Sequence, residues 1–290
     1  MLSPLLISMR PRQWIKNAFV LPALVFSQHL FTPSFVALAL AAVACFCVIS
    51  SAVYLVNDVA DADQDSRHPV KCRRPIAAGI LDKRVALGWA AGLLAAGLAG
   101  AFLLNAGFGL IALVYAGINL AYSFRLKRVV LLDIILVATG FLLRAVGGAV
   151  AIGVPMSPWF IVCIFSLALF LAAVKRRQEI VTLAGQAREH RAILDEYSLP
   201  FLDQVIAIFT SATLVCYALY AIGLGAAGEG TGRSMQWSIP FVLYGILRYL
   251  YLVYRTGAGE SPTQVIWTDR PLQVDMLLWL VVSVLVYYGM

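Results

Sequence analysis

The chain has 290 residues, of which 61% are hydrophobic and only 13% charged, and its mean hydropathy is +0.86. Soluble domains average about 45–50% apolar and about 25% charged residues, so this composition excludes a water-soluble globule and a disordered chain. A net charge of +7 suggests nucleic acid at first, but the placement of the basic residues along the chain gives them another role.

A membrane helix needs about 20 mostly apolar residues. In chain order, apolar runs fall at 17–32, 35–56, 84–104, 108–123, 129–152, 158–175, 201–226, 237–255 and 271–289. They predict an all-α integral membrane protein of nine transmembrane helices around a central cavity, one polytopic domain over residues 1–290. Arg10, Arg12 and Lys16 precede the first run, but no small-residue cleavage site follows it, so a retained helix is expected rather than a signal peptide. With a cytoplasmic N-terminus and alternating spans, 19 of the 22 Lys and Arg residues fall on cytoplasmic segments. Arg233 falls on the other side, and Arg144 and Arg248 lie inside spans. This asymmetry accounts for the basic charge, and no nucleic-acid partner is expected.

Two predicted cytoplasmic loops are long and charged, 57–83 and 176–200, whereas the outer loops are short apart from a Gly-rich stretch at 223–232. The segment Gln186–Tyr197 has the charge pattern of an amphipathic surface helix or of a lid over a polar site. Five cysteines without zinc-type spacing, and scattered His29, His68 and His190, argue against a His/Cys metal site and a disulfide framework. Trp14, Trp159, Trp237 and Trp267 stand near span ends and are expected to act as interfacial anchors.

The first charged loop opens Asn57-Asp58-Val59-Ala60-Asp61-Ala62-Asp63-Gln64-Asp65. On a helix, Asn57, Asp58, Asp61 and Asp65 share one face and Asp63 points elsewhere. Three carboxylates and an amide oxygen on one face suit Mg²⁺, a hard cation held by a few carboxylates together with substrate phosphates. Pro69 is expected to stop the helix, and Lys71, Arg73 and Arg74 follow as ligands for phosphate oxygens. An arginine at the centre of a span costs about 2.5–3.5 kcal/mol on insertion scales and usually faces a cavity or a partner. Arg144 is therefore a candidate site cation, and Gly147 and Gly148 beside it would let another element approach closely. Arg248 is a cation of the same kind, or else the partner of Asp203 or Asp275.

Asn57-Asp58-x-x-Asp61-x-x-x-Asp65, followed by Arg74-Pro75-Ile76-x-x-Gly79, resembles the first aspartate-rich motif of the UbiA superfamily of intramembrane prenyltransferases. Tyr122-Ser123-x-x-Leu126-Lys127-Arg128, with Asp133 beyond it, resembles that family's segment after the fourth span. The second loop departs from the pattern: where the family carries another Asp-x-x-x-Asp run, this chain has Lys175-Arg176-Arg177-Gln178-Glu179. On a helix Lys175, Arg176 and Glu179 share a face while Arg177 points away. One acid and two bases do not suit a second Mg²⁺ as two aspartates would, but could bind a further phosphate.

That departure resembles the decaprenyl-phosphate phosphoribosyltransferase branch, as do Arg10-Pro11-x-Gln13-Trp14-x-Lys16-Asn17, Leu143-Arg144-Ala145-x-Gly147-Gly148 and Ile246-Leu247-Arg248-Tyr249. The resemblance implies a Mg²⁺-dependent glycosyltransferase of the bacterial plasma membrane, with N-terminus and active site cytoplasmic. Its donor would be phosphoribosyl pyrophosphate, and its acceptor a polyprenyl phosphate whose tail enters by a lateral opening between helices. The product would be a precursor of arabinose donors for cell-wall glycans. Asp58, Asp61 and Asp65 are implied as catalytic residues, and with Asn57 as metal ligands. Lys16, Asn17, Asn57, Lys71, Arg73, Arg74, Tyr122, Lys127, Arg144, Lys175, Arg176 and Glu179 are implied substrate ligands. The chain is free to form a homo-oligomer. Two other readings fit parts of the pattern: a prenyltransferase acting on an aromatic acceptor, which expects the missing second acidic run, and a transporter of a phosphorylated metabolite. Transporters place binding groups near the midplane. Here the acids gather at one face, which favours an enzyme.

Overall fold

The computed structural model describes residues 2–67, 70–183, 192–223, 235–256 and 262–289. Every regular element among them is helical. In chain order these are α1 (Leu2–Met9), a 3-10 segment (Pro11–Val20), α2 (Pro22–Phe26), α3 (Pro33–Ala60), α4 (Ala62–Asp65), α5 (Lys83–Leu104) and α6 (Ala106–Phe124). Then come α7 (Leu132–Ile152), α8 (Pro158–Leu183), α9 (Leu199–Ala221), α10 (Ile239–Thr256), α11 (Pro262–Thr268) and α12 (Arg270–Tyr288), with short 3-10 turns between some of them.

Seven helical stretches among the described residues are long and apolar enough to cross a membrane: α3, α5, α6, α7, most of α8, α9, and Met235–Thr256, which includes α10. The nine-span expectation is corrected at its first member. Residues 17–32 form no continuous helix but the end of a 3-10 segment, a turn at Leu21 and the five-residue α2. Pro22 lacks the amide hydrogen that a through-going helix would need there. Gln28 then takes a left-handed φ of +63°, which turns the chain before α3. The ninth run forms the 19-residue α12, which carries Arg270 and Asp275 and is not among the seven. The helix stop at Pro69, the 186–191 part of the charged segment, and Arg233 with nearly all of the Gly-rich stretch lie outside the described residues.

Sequence signals set the helix ends. Pro33 begins α3, where its missing amide hydrogen costs nothing. The Asp82 carboxylate accepts from the Arg84 and Val85 amides at the start of α5, and the Ser198 hydroxyl caps α9 through the Phe201 amide. Asn105 alone joins α5 to α6. Its amide closes the last turn of α5, and its side chain accepts from Gly107 and Phe108 at the start of α6. Gly153 (φ +70°) and Gly289 (φ +68°) end α7 and α12 in the left-handed conformation glycine takes readily.

The chain divides into two compact units. The first comprises Met1–Leu24, His29–Leu136 and Leu143–Val154. In it α3 packs on α5 and α6 around Ala42, Phe46, Ile49, Ala101, Phe108, Ala112 and Tyr115. Small residues allow close approach: a Cβ on Gly97 of α5 would fall 2.6 Å from an Ile49 side-chain carbon of α3. The second comprises Val25–Gln28, Val137–Leu142 and Pro155–Met290. In it α8 packs along α9, and Phe26 meets Phe160, Tyr220 and Trp279 edge-on, with ring centroids 5.2–6.0 Å apart.

Candidate active site

The acidic motif does not lie on one unbroken helix. α3 ends at Ala60, Asp61 takes φ −96° and ψ 0°, and α4 resumes for four residues. The backbone stays close to its helical course, since the Asp61 amide donates to the Asn57 carbonyl and the Asp65 amide to the Asp61 carbonyl. Asp58 and Asp65 therefore remain near enough to share one guanidinium, but among the described residues no three such side chains are arranged to hold a metal ion. Asp63 is the outlier: its side chain is 92% exposed and it accepts a hydrogen bond from Lys83 at 2.9 Å. That bond and the Lys83 charge hold the Asp63 carboxyl below the usual carboxylate range.

Asp58, Asp61 and Asp65 each meet a cation. Asp58 is buried and pairs through Oδ1 with Arg10 and, at 3.1 Å, with Arg74. The same Arg74 nitrogen lies 2.5 Å from Asp65 Oδ2, so one guanidinium bridges two acids. Asp61 pairs with Lys127 from the turn after α6 and accepts from the Asn57 amide at 3.2 Å. Arg10 takes a left-handed φ of +55° and lies 5.2 Å from the Tyr54 ring centre. Such a backbone costs about 1–2 kcal/mol for a residue with a Cβ, so the surrounding contacts must hold it. Sequence reasoning had Arg10 only as part of a motif. Its pairing with an acid 48 residues away is set by tertiary folding.

Among the other expected ligands, Lys71 and Arg73 lie in the 3-10 turn Lys71–Arg73, where Arg73 is exposed and Lys71 half-buried. Lys16 and Tyr122 are half-buried, on the 3-10 segment and on α6. Asn17 and Arg144 are placed against each other. Arg144 is 5% exposed and donates to Asn17 Oδ1 at 2.7 Å and to the Tyr115 hydroxyl at 2.6 Å, with its guanidinium 4.7 Å from the Tyr115 ring centre. Asn17 in turn donates to Cys47 Sγ at 3.1 Å and Ser50 Oγ at 3.4 Å on α3. Trp14 donates to Ser51 Oγ at 3.0 Å, so the expected interfacial tryptophan fastens the 3-10 segment to α3. Trp237 and Trp267 are exposed.

Lys175, Arg176, Arg177 and Glu179 stand in the last turns of α8, inside the helix rather than in a loop. Arg176 pairs with Glu179, and Lys175 Nζ lies 3.9 Å from the same carboxylate. Arg177 points away, as the helical period requires. It donates to Asp203 at 2.6 Å and stacks 4.2 Å from the Tyr254 ring centre, while the Tyr254 hydroxyl donates to Asp203. Arg248 pairs with neither Asp203 nor Asp275 but with Asp269, through two nitrogens at 3.2 and 2.8 Å. Asp269 caps α12, a position the hydrophobic pattern did not point to. Arg177→Gln is expected to lower stability by about 0.2–1 kcal/mol, the range of partly exposed pairs, and to leave turnover within about twofold. Detergent thermal unfolding beside an activity assay checks both.

Carboxylates and cations thus interleave where α3 and α4 meet and again, separately, in the last turns of α8; α3 and most of α8 are long and apolar enough to cross a membrane. The UbiA prenyltransferase family profile matches residues 17–268, and the chain belongs to that family. It is similar to decaprenyl-phosphate phosphoribosyltransferase of Corynebacterium glutamicum, 36% identical over 98% of this chain and 86% of the relative. The enzyme of that name from Mycolicibacterium smegmatis is also 36% identical, over 97% of this chain and 91% of its own length. Among solved structures, the UbiA homolog from Archaeoglobus fulgidus bound to GPP and Mg²⁺ superposes with a TM-score of 0.73 at 19% identity, covering 98% and 99% of the two chains. A digeranylgeranylglyceryl phosphate synthase superposes with a TM-score of 0.68 at 14% identity, covering 100% of this chain and 99% of that one. These likenesses establish the fold.

Proposed function

We propose that this protein transfers 5-phosphoribose from phosphoribosyl pyrophosphate to decaprenyl phosphate or a similar polyprenyl phosphate, releasing diphosphate. The observation that carries this reading is the Lys175, Arg176 and Glu179 set on α8. It offers cations where a second metal would need acids, which suits a donor that bears a further phosphate on ribose C5. The relatives' names support the same donor and acceptor. The product is a precursor of arabinose donors for cell-wall glycans.

In the reaction the bond from ribose C1 to the diphosphate oxygen breaks, and an acceptor phosphate oxygen bonds to C1. Asp58, Asp61 and Asp65, with the Asn57 amide oxygen, are the residues that would hold Mg²⁺; all-oxygen donors fit that ion chemically. Bound there, Mg²⁺ supplies Lewis-acid stabilisation of the negative charge that gathers on the leaving group. Arg10, Arg74 and Lys127 already stand beside these acids and offer donors to the diphosphate oxygens. Lys16, Lys71, Arg73 and Tyr122 are further phosphate ligands. The acceptor phosphate is ionised at neutral pH, so no side chain has to remove a proton. Asn17 and Arg144 serve by holding the 3-10 segment in place. The enzyme works in the bacterial plasma membrane with its N-terminus and charged segments cytoplasmic, on the side where a soluble donor is available. The charge asymmetry supports that orientation.

Purified protein with Mg²⁺, phosphoribosyl pyrophosphate labelled in the ribose and a polyprenyl phosphate is expected to yield labelled lipid and free diphosphate. Consumption of a prenyl diphosphate with an aromatic acceptor, and no label in lipid, would falsify the reading. Lys175→Ala is expected to raise the KM for donor about tenfold, one charge-assisted hydrogen bond, and to leave the KM for lipid within about twofold. Equal effects on both would remove Lys175 from the donor.

A further inference from the structure

We propose that the Asp58, Asp61 and Asp65 cluster excludes a lone divalent cation and a lone diphosphate, and admits the two together by exchanging its own ion pairs. This rests on the reading of the cluster as the metal–diphosphate site and adds how that site fills. The observation behind it is that the acids are already engaged. Arg10 and Arg74 sit on Asp58, Arg74 reaches on to Asp65, and Lys127 sits on Asp61. Among the described residues, no group of three His, Cys, Asp or Glu side chains is arranged to hold a metal ion. The donors have the right chemistry and the wrong partners.

The charges in these pairs balance: three carboxylates, Asp58, Asp61 and Asp65, stand against three cations, Arg10, Arg74 and Lys127. A divalent cation arriving alone must displace those side chains and then share a half-buried site with them, leaving an excess of two positive charges. A diphosphate arriving alone meets Lys16, Lys71 and Arg73, but to gain Arg10, Arg74 and Lys127 it must pull them from the acids and leave bare carboxylates beside its own negative charge. When both arrive, the acids turn to the metal and the cations turn to phosphate oxygens, so every charge keeps an opposite neighbour. Uncompensated charge is costly where water is scarce, and Asp58 and Asp65 are the buried members. Arg74 is the pivot, because its one guanidinium nitrogen spans both of them, at 3.1 and 2.5 Å. Its planar fork suits two phosphate oxygens as well as two carboxylates.

The test uses the full chain in nanodiscs, with Mn²⁺ followed by its paramagnetic resonance and inorganic pyrophosphate followed by a radiolabel. Affinities are referred to the free ions, and the soluble Mn–pyrophosphate complex is counted separately. In the wild type, each ligand is expected to tighten the other at least tenfold, by equal factors. Arg74→Met is expected to strengthen binding of Mn²⁺ alone about tenfold, since it uncovers Asp58 and Asp65, and to weaken binding of pyrophosphate. Lys127→Met is expected to shift both affinities the same way through Asp61, and it serves should Arg74→Met fold poorly. Mn²⁺ bound alone as tightly as with pyrophosphate, or variants that weaken both ligands, would overturn the exchange and leave the proposed reaction standing. If Mn²⁺ and pyrophosphate together do not bind the wild type, the site assignment fails and the exchange with it.

Discussion

Asp58→Asn is expected to lower the transfer rate by about 10²–10³-fold, the scale of losing one group that stabilises developing charge, while the chain still enters the membrane. The substitution keeps the shape of the side chain and removes the charge. That charge lies at the C-terminal end of α3, buried, with Arg10 and Arg74 both on Oδ1. Two cations would then face a neutral amide. Arg74 retains Asp65 and both guanidinium groups are about a quarter exposed, so the loss of stability should stay below about 3 kcal/mol, less than for a fully buried pair. Asp63→Asn is the matched control. It removes the same charge two residues after Asp61, but from an exposed side chain paired only with Lys83 among the described residues. Its turnover should remain within about twofold, as is usual for exposed positions. Label transfer in membrane vesicles and protease accessibility of the N-terminus measure rate and insertion separately. Equal losses in the two variants would mean that overall charge at this face matters and the cluster does not.

Gly148→Ala is expected to cost about 1–3 kcal/mol, the range of core overpacking, and to remove most activity. A Cβ at this position of α7 would stand 2.1 Å from the Val20 carbonyl oxygen, 2.9 Å from its carbon and 3.0 Å from its Cα. All three are backbone atoms, so no rotamer change relieves the clash, and the 3-10 segment must move away from α7. That segment follows Arg10, fastens to α3 through Trp14 and Ser51, and meets Arg144 through Asn17. Moving it draws Arg10 off Asp58. Gly147→Ala is again the control. Its nearest neighbours are Phe46 ring atoms at 3.0 and 3.2 Å, which can yield slightly, so its cost should stay below about 1 kcal/mol. Thermal unfolding of both variants in detergent, together with label transfer, decides the matter. Similar values for the two would mean that the Val20 contact is not limiting.

The hydrophobic runs predicted the long helices well because each carries its own signal of length and apolarity. The acidic motif was legible because a helical period fixes which carboxylates share a side, and the break at Asp61 was too slight to undo that. Arg177 and Arg176 likewise separated as the period requires. The first predicted span failed because run length ignores what Pro22 and Gln28 do to the backbone. A polar side chain in such a run, here Asn17, can also be satisfied by residues as distant as Arg144. Partners across the chain were legible only as candidates. Arg248 found Asp269, and Arg10 found Asp58, because packing chooses among charges that sequence merely enumerates. The close approach at Gly147 and Gly148 was readable in advance, since two adjacent glycines on a membrane helix remove the side chains that would hold a neighbour away.

The single-residue joint at Asn105 also bears on lipid traffic. With one residue serving as the terminator of α5 and the cap of α6, the two helices have no slack at that end. The joint holds the shared ends of the two helices together. The tail of the proposed polyprenyl acceptor would find no opening at that end. Lengthening this turn by a few glycines would give the hairpin a freedom it now lacks, and would loosen the packing of both helices on α3.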